Sequence, residues 1–174
     1  MWDTGTFRPV ASYTMPAGGL GGGLTYSPDG RTLALDSGSG DVLLWDTRSR
    51  RVTGNIRTGQ ASPLVIKFSP DGKLLATAGG SSTIELWTVP RLGLLADMTL
   101  PAPAAPANGL SLVVNEAAFG PGHTLVATTS YGTAQVWDLR PADEVRELCD
   151  ALRGPSLARQ WRQLTPAPDP CRAG

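Results

Sequence analysis

The chain has 174 residues, room for one ordinary domain, and carries 15 Lys and Arg against 15 Asp and Glu. Zero net charge leaves no cationic surplus to displace counterions from DNA or RNA or to hold an anionic membrane, so neither is an expected partner. No run approaches the roughly 18–20 apolar residues of a membrane span, the N-terminus lacks a signal-peptide pattern, and Cys149 and Cys171 are the only cysteines. The expectation is a cytoplasmic protein held by packing, with two free thiols the favoured reading and a Cys149–Cys171 pair in the folded tail the alternative.

The 21 glycines and 15 prolines point to many short elements joined by tight turns. In chain order, residues 20–26 (LGGGLTY) read as a first strand ending at a turn. Ser27-Pro28-Asp29-Gly30 suits a type I turn, with Pro setting φ at the second position and Gly at the fourth. Strands are expected at 32–37 (TLALDS), 41–46 (DVLLWD) and 50–58 (RRVTGNIRT). The cycle then repeats. LVIKF (64–68) is followed by Ser69-Pro70-Asp71-Gly72, LLATAG (74–79), TIELWT (83–88) and LGLLADMTL (92–100). A third cycle has SLVVNEAAF (111–119), the turn GPGH, TLVATTS (124–130) and TAQVWD (133–138).

Two markers keep phase through these cycles. The tryptophans Trp2, Trp45, Trp87 and Trp137 are spaced by 43, 42 and 50 residues, and the aromatic before each turn precedes its Trp by 19, 19 and 18. Four antiparallel strands per ~42 residues describe one blade of a propeller.

The pattern resembles the WD40-repeat family over roughly residues 1–140. The resemblance rests on Trp45-Asp46, Trp87-Thr88 and Trp137-Asp138, on the turns Pro28-Asp29-Gly30 and Pro70-Asp71-Gly72, and on Thr58-Gly59-Gln60, which is similar to the family's Thr-Gly-His. It implies an all-β fold of three WD40-like four-stranded blades, a partial propeller that does not close into a ring, with a short helical C-terminal tail. The family often places Asp six residues before the Trp, where this chain has Ser39, Ser81 and Tyr131. The family's His–Ser/Thr–Asp–Trp hydrogen-bonded set is therefore expected to be incomplete in every unit, leaving the blades more dependent on apolar packing.

The expected organisation is as follows. Residues 1–16 are the end of an incomplete preceding repeat, including its outer strand. Residues 17–140 hold three repeats, at about 17–60, 61–108 and 109–140, with a Pro/Ala insertion at 101–109 that reads as a stiff surface loop. Residues 141–174 form a tail with two short helices: Val145, Leu148, Cys149 and Leu152 make one stripe, and Leu157, Trp161 and Leu164 a second. That tail resembles the ending of bacterial WD40 proteins, some of which carry kinase or STAND-type NTPase domains. Two explanations of the opening MWDT stay open. The chain is a C-terminal piece of a longer protein, the favoured one, or its N-terminal strand closes a ring shared between chains.

Chemistry is sparse. His123 is the one histidine and sits in a turn, with no second His or cysteine pair at zinc spacing. The run from Gly18 to Gly23 fits no phosphate-loop spacing, and Gly72-Lys73 is followed by Leu74 where a Walker motif needs Ser or Thr. Asp29 and Asp71 read as turn residues rather than calcium ligands, and the repeated tryptophans as blade packing rather than stacking platforms. No catalytic, cofactor or metal site is expected. The function expected is a non-enzymatic protein–protein interaction scaffold. The alternative is a C-terminal sensor or regulatory segment of a larger bacterial signalling protein. Partners are proteins, with self-association expected through open blade edges.

Overall fold

The computed structural model describes residues 2–10, 12, 22–60, 64–89, 91–101 and 112–140. The chain divides into two compact units, Met1–Trp137 and Asp138–Gly174, and the described strands belong almost wholly to the first. The expected tail helices and most of the 101–109 insertion lie outside the described residues.

The described strands are β1 (Leu24–Tyr26), β2 (Thr32–Asp36), β3 (Asp41–Asp46), β4 (Arg51–Arg57), β5 (Val65–Phe68), β6 (Leu74–Ala78), β7 (Thr83–Thr88), β8 (Gly93–Thr99), β9 (Val114–Gly120), β10 (Thr124–Thr129) and β11 (Ala134–Asp138). They form three meandering sheets, β1-β2-β3-β4, β5-β6-β7-β8 and β9-β10-β11. The third blade has three strands among the described residues, where the first two have four. The first and second blades carry the same β-bulge, beside Trp45 in β3–β4 and beside Trp87 in β7–β8.

Residues opposite each other in an antiparallel sheet share a side. The first blade therefore has a Trp side, with Leu33, Leu35, Leu43 and Trp45, and an opposite side, with Ala34, Val42, Leu44 and Ile56. Ala34, Val42, Leu44 and Ile56 form one buried cluster with Ile66, Leu75 and Trp87 from the Trp side of the second blade. Gly54 belongs to the same seam. A Cβ there would come within 2.8 Å of Leu92 Cδ1, so a larger residue requires the Leu92 side chain to shift. The next seam repeats the rule. Val65, Ala76, Ala78, Ile84 and Leu86 are buried on the opposite side of the second blade, and β5 and β6 adjoin β9, whose Val114 and Ala117 are buried.

The central strands β2 and β6 are covered on both sides, which their small residues allow. Full burial of a Leu, Ile or Val side chain stabilises by about 1.5–3 kcal/mol, against about 1 kcal/mol for a net hydrogen bond. Apolar seams, rather than polar contacts, hold blade to blade.

Candidate interaction surface

The turn markers are used locally. Gly30 N–H donates to the Ser27 carbonyl at 2.8 Å, and Gly72 N–H to the Ser69 carbonyl at 2.9 Å, as the type I reading requires. Both glycines are left-handed, with φ of 69° and 71°. The Asp between Pro and Gly closes the turn. Asp29 Oδ1 accepts from the Ser27 hydroxyl at 2.6 Å and from Arg31 N–H at 3.1 Å, and Asp71 repeats this with Ser69 and Lys73 at the same distances. The Ser hydroxyl first, then the backbone N–H, hold both carboxyls below the ordinary Asp range. Pro28 and Pro70 occupy the second position of their turns, and Pro28 lies beside Gly72 of the neighbouring blade: a Cβ on Gly72 would sit 3.4 Å from Pro28 Cδ.

The turn after each Trp also recurs. Asp46 Oδ1 accepts from Ser49 N–H at 2.6 Å, and Arg50 takes a left-handed φ of 59° while donating to the Asp46 carbonyl. Phe7 and Leu92, each five residues after a Trp, have φ of 54° and 52°. Asp3 accepts from Gly5 and Thr6 N–H, and Trp2 bridges Pro9 in an antiparallel pair. The opening MWDT thus builds the same hairpin turn as Trp45-Asp46. In the second unit, Asp138 accepts from the Arg140 guanidinium.

Trp45 and Trp87 are 4% and 7% exposed, whereas Trp137 is only partly buried. The fourth strand explains the difference. Val52 lies opposite Trp45 and Leu94 opposite Trp87, and no described strand flanks β11 on that side.

The second blade departs from the expectation of an incomplete hydrogen-bonded set. Trp87 Nε1–H donates to Thr77 Oγ at 3.0 Å, and the Thr77 hydroxyl donates to Glu85 Oε2 at 3.2 Å. Glu85 Oε1 accepts from Gly59 N–H at 2.8 Å, and the Gln60 amide donates to the Thr77 carbonyl at 3.1 Å. Thr58 completes the segment by donating its hydroxyl to the Gly40 carbonyl. A Glu two residues before the Trp does the work expected of an Asp six before it, and Gln60 serves in place of His. The signal was a lone acid inside TIELWT, flanked by apolar residues that mark its strand as buried. Burial, aided by Asp97 directly across the sheet, raises the Glu85 carboxyl above its ordinary range against the two hydrogen bonds it accepts.

The first blade has Leu35 and Leu43 at the positions of Thr77 and Glu85. Trp45 Nε1 accordingly has no hydrogen-bond partner among the described residues. There the expectation of apolar dependence holds.

His123 stands where Gly72 stands in the second turn. It is exposed, with a left-handed φ of 65°. Among the described residues no group of three or more His, Cys, Asp or Glu could hold a metal ion. No helix among them is long and apolar enough to cross a membrane. What the blades do expose is sheet surface. Leu24 and Tyr26, on the Trp side of the first blade, are 67% and 45% exposed, and Val136 of β11 is 58% exposed.

Residues 55–88 match the family described as WD domain, G-beta repeat. No curated protein matches the chain. Among solved structures, the RRP9 WD40 repeats superpose with a TM-score of 0.58 at 23% identity, covering 67% of this chain and 34% of that one. U3-55K gives 0.57 at 22%, over 67% and 35%. The Cps50 (Swd1) β-propeller domain of Myceliophteria thermophila gives 0.59 at 18%, over 71% and 37%. The chain spans about a third of the length of each of these structures. The likeness is to WD40 propellers in general rather than to bacterial ones in particular. The chain has the fold of a WD40-repeat β-propeller domain.

Proposed function

We propose that this chain is a non-enzymatic scaffold for protein–protein interaction. One observation carries the reading. Among the described residues, side chains able to do chemistry serve the fold: Asp29, Asp46 and Asp71 close turns, Glu85 ties a blade together, and His123 occupies a turn. What remains for solvent is a set of loops and sheet faces, including Leu24 and Tyr26. WD40 blades are a fold class generally associated with such roles, although fold alone does not set function. A cytoplasmic setting and protein partners belong to the same proposal. So does self-association through open sheet surface, supported by the exposure of Leu24, Tyr26 and Val136. The test is capture from source-cell extract followed by reconstitution from purified components. A protein held at constant stoichiometry and rebound with a measurable Kd supports the scaffold. Turnover of a substrate that co-purifies with the chain, with no such protein, overturns it.

A finer reading places the blades in a larger bacterial signalling protein as a sensor or regulatory segment. The tail sequence, with Cys149, Trp161 and Cys171, supports it. An antibody against the tail, used on source cells, decides. A band at the mass of the chain itself is against this reading, and a much larger band is for it.

A further inference from the structure

We infer that the end of the blades carrying the Pro-Asp-Gly and post-Trp turns is a docking surface for an acidic polypeptide segment. The inference rests on the scaffold reading and names the partner's chemistry. In a four-stranded meander the first and third turns lie at one end. Hydrogen bonds show it here: Thr47 N–H donates to the Arg31 carbonyl at 2.9 Å and its hydroxyl to the Gly30 carbonyl at 2.9 Å, and Val89 N–H donates to the Lys73 carbonyl at 2.9 Å. The nearness of Pro28 to Gly72 brings the turns of the first and second blades side by side.

The charges of a neutral chain are sorted between the two ends. The turn end of these two blades carries Arg31, Arg48, Arg50, Arg51, Lys73 and Arg91, all exposed, against Asp29, Asp46 and Asp71. That is six cations against three carboxylates. Each of the three carboxylates already accepts N–H or O–H groups of its own turn. Arg31 and Lys73 reach their neighbouring carboxylates only at 3.9 Å, and Arg48, Arg50, Arg51 and Arg91 make no ion pair among the described residues. Toward the other end stand Asp36, Asp41, Glu85 and Asp97, with Arg57 the cation there. Lys67, at mid-strand, pairs with Glu116 at 3.2 Å.

A polarised charge distribution of this kind steers and orients a partner without any net charge. The four arginines that make no ion pair among the described residues present planar forks suited to carboxylates. Short turns hold them, so little loop ordering opposes binding. The surplus is local and small, which fits a short acidic stretch rather than a nucleic acid backbone.

The test is fluorescence anisotropy of the whole chain with a labelled Glu/Asp-rich peptide. Duplex DNA, single-stranded RNA and phosphatidylserine vesicles are measured beside it. Binding of the acidic peptide is expected at low salt, weakened at least severalfold between 50 and 300 mM salt as screening shortens to roughly 6 Å. The triple variant Arg48→Ser, Arg51→Ser, Arg91→Ser is expected to lose about tenfold in affinity, and Arg57→Ser to change nothing. All four residues are exposed, and circular dichroism checks that the sheets persist. Equal loss in Arg57→Ser and the triple variant, absence of peptide binding, or preference for nucleic acid or vesicles overturns the inference. Failure here with a captured partner still bound refutes the acidic-segment assignment and leaves the scaffold standing.

Discussion

Trp87 gives its indole N–H to the Thr77 hydroxyl at 3.0 Å, and that hydroxyl in turn donates to Glu85, so one threonine links the blade's tryptophan to its buried acid. Replacing Thr77 by Val keeps the shape and removes both bonds. An orphaned buried donor and an unsupported carboxylate cost roughly 2–4 kcal/mol together. Thr77→Ser keeps the hydroxyl and is expected to cost less than half as much. Urea unfolding followed by tryptophan fluorescence measures both, and equal losses would show that the hydroxyl is idle.

The first and second blades offer an internal comparison. Trp45 and Trp87 are similarly buried, but only Trp87 is hydrogen-bonded among the described residues. Trp87→Phe should therefore destabilise by about 1 kcal/mol more than Trp45→Phe, the net worth of one hydrogen bond. A larger cost at Trp45 would contradict the geometry.

Glu85 makes stability depend on pH in a definite direction. Its carboxyl is raised in the fold by burial, so on raising the pH the unfolded chain ionises first, near its ordinary value of about 4.3. Stability contributed by the protonated form is complete below that value and falls as pH rises through the folded one. Asp71 acts in the opposite sense. The Ser69 hydroxyl and Lys73 N–H hold its carboxyl low, so its contribution is present above about 3.9 and is lost as pH falls. Glu85→Gln should flatten the decline above about pH 4.3 and leave the acid limb intact. Denaturation midpoints from pH 3.5 to 7 decide, and a difference between variant and parent that is constant across that range would sink the argument.

The turn positions separate backbone from chemistry. Gly30 has φ of 69° with nothing within 4 Å of a Cβ, so Gly30→Ala costs only left-handed strain, about 1 kcal/mol. His123 already bears that strain at φ of 65°. His123→Gly should leave stability unchanged or raise it by up to about 1 kcal/mol, and should leave partner binding untouched. Loss of binding in this variant would give the histidine a role that its place in the turn does not suggest.

The seam between the first two blades is expected to be the most sensitive region. Leu44→Ala removes a buried side chain from the cluster with Ile66, Leu75 and Trp87 and should cost about 2–5 kcal/mol. Val136→Ala, on an exposed position, should cost under about 0.5 kcal/mol. Comparable effects in thermal unfolding would mean that the seam is not closed in solution.

Local chemistry was legible in the residues alone. The eleven strands expected between residues 20 and 138 are present with ends shifted by at most a few residues, while part of the outer strand expected within residues 1–16 lies outside the described residues. Ser27–Gly30 and Ser69–Gly72 turn as their side chains require, because these preferences act over four residues or fewer. Partners across strands were not legible. Nothing within TIELWT tells that Glu85 accepts from Gly59, 26 residues earlier, or that Thr77 would be the hydroxyl beneath Trp87. The matching place of Trp45, Trp87 and Trp137 near the end of the third strand of each blade likewise hid their unequal surroundings, since burial depends on a neighbouring strand and not on the residue. Period and turn chemistry are properties of the chain. Register, burial and the fate of each polar group arise only when sheets stack, because each is decided by atoms far away in sequence.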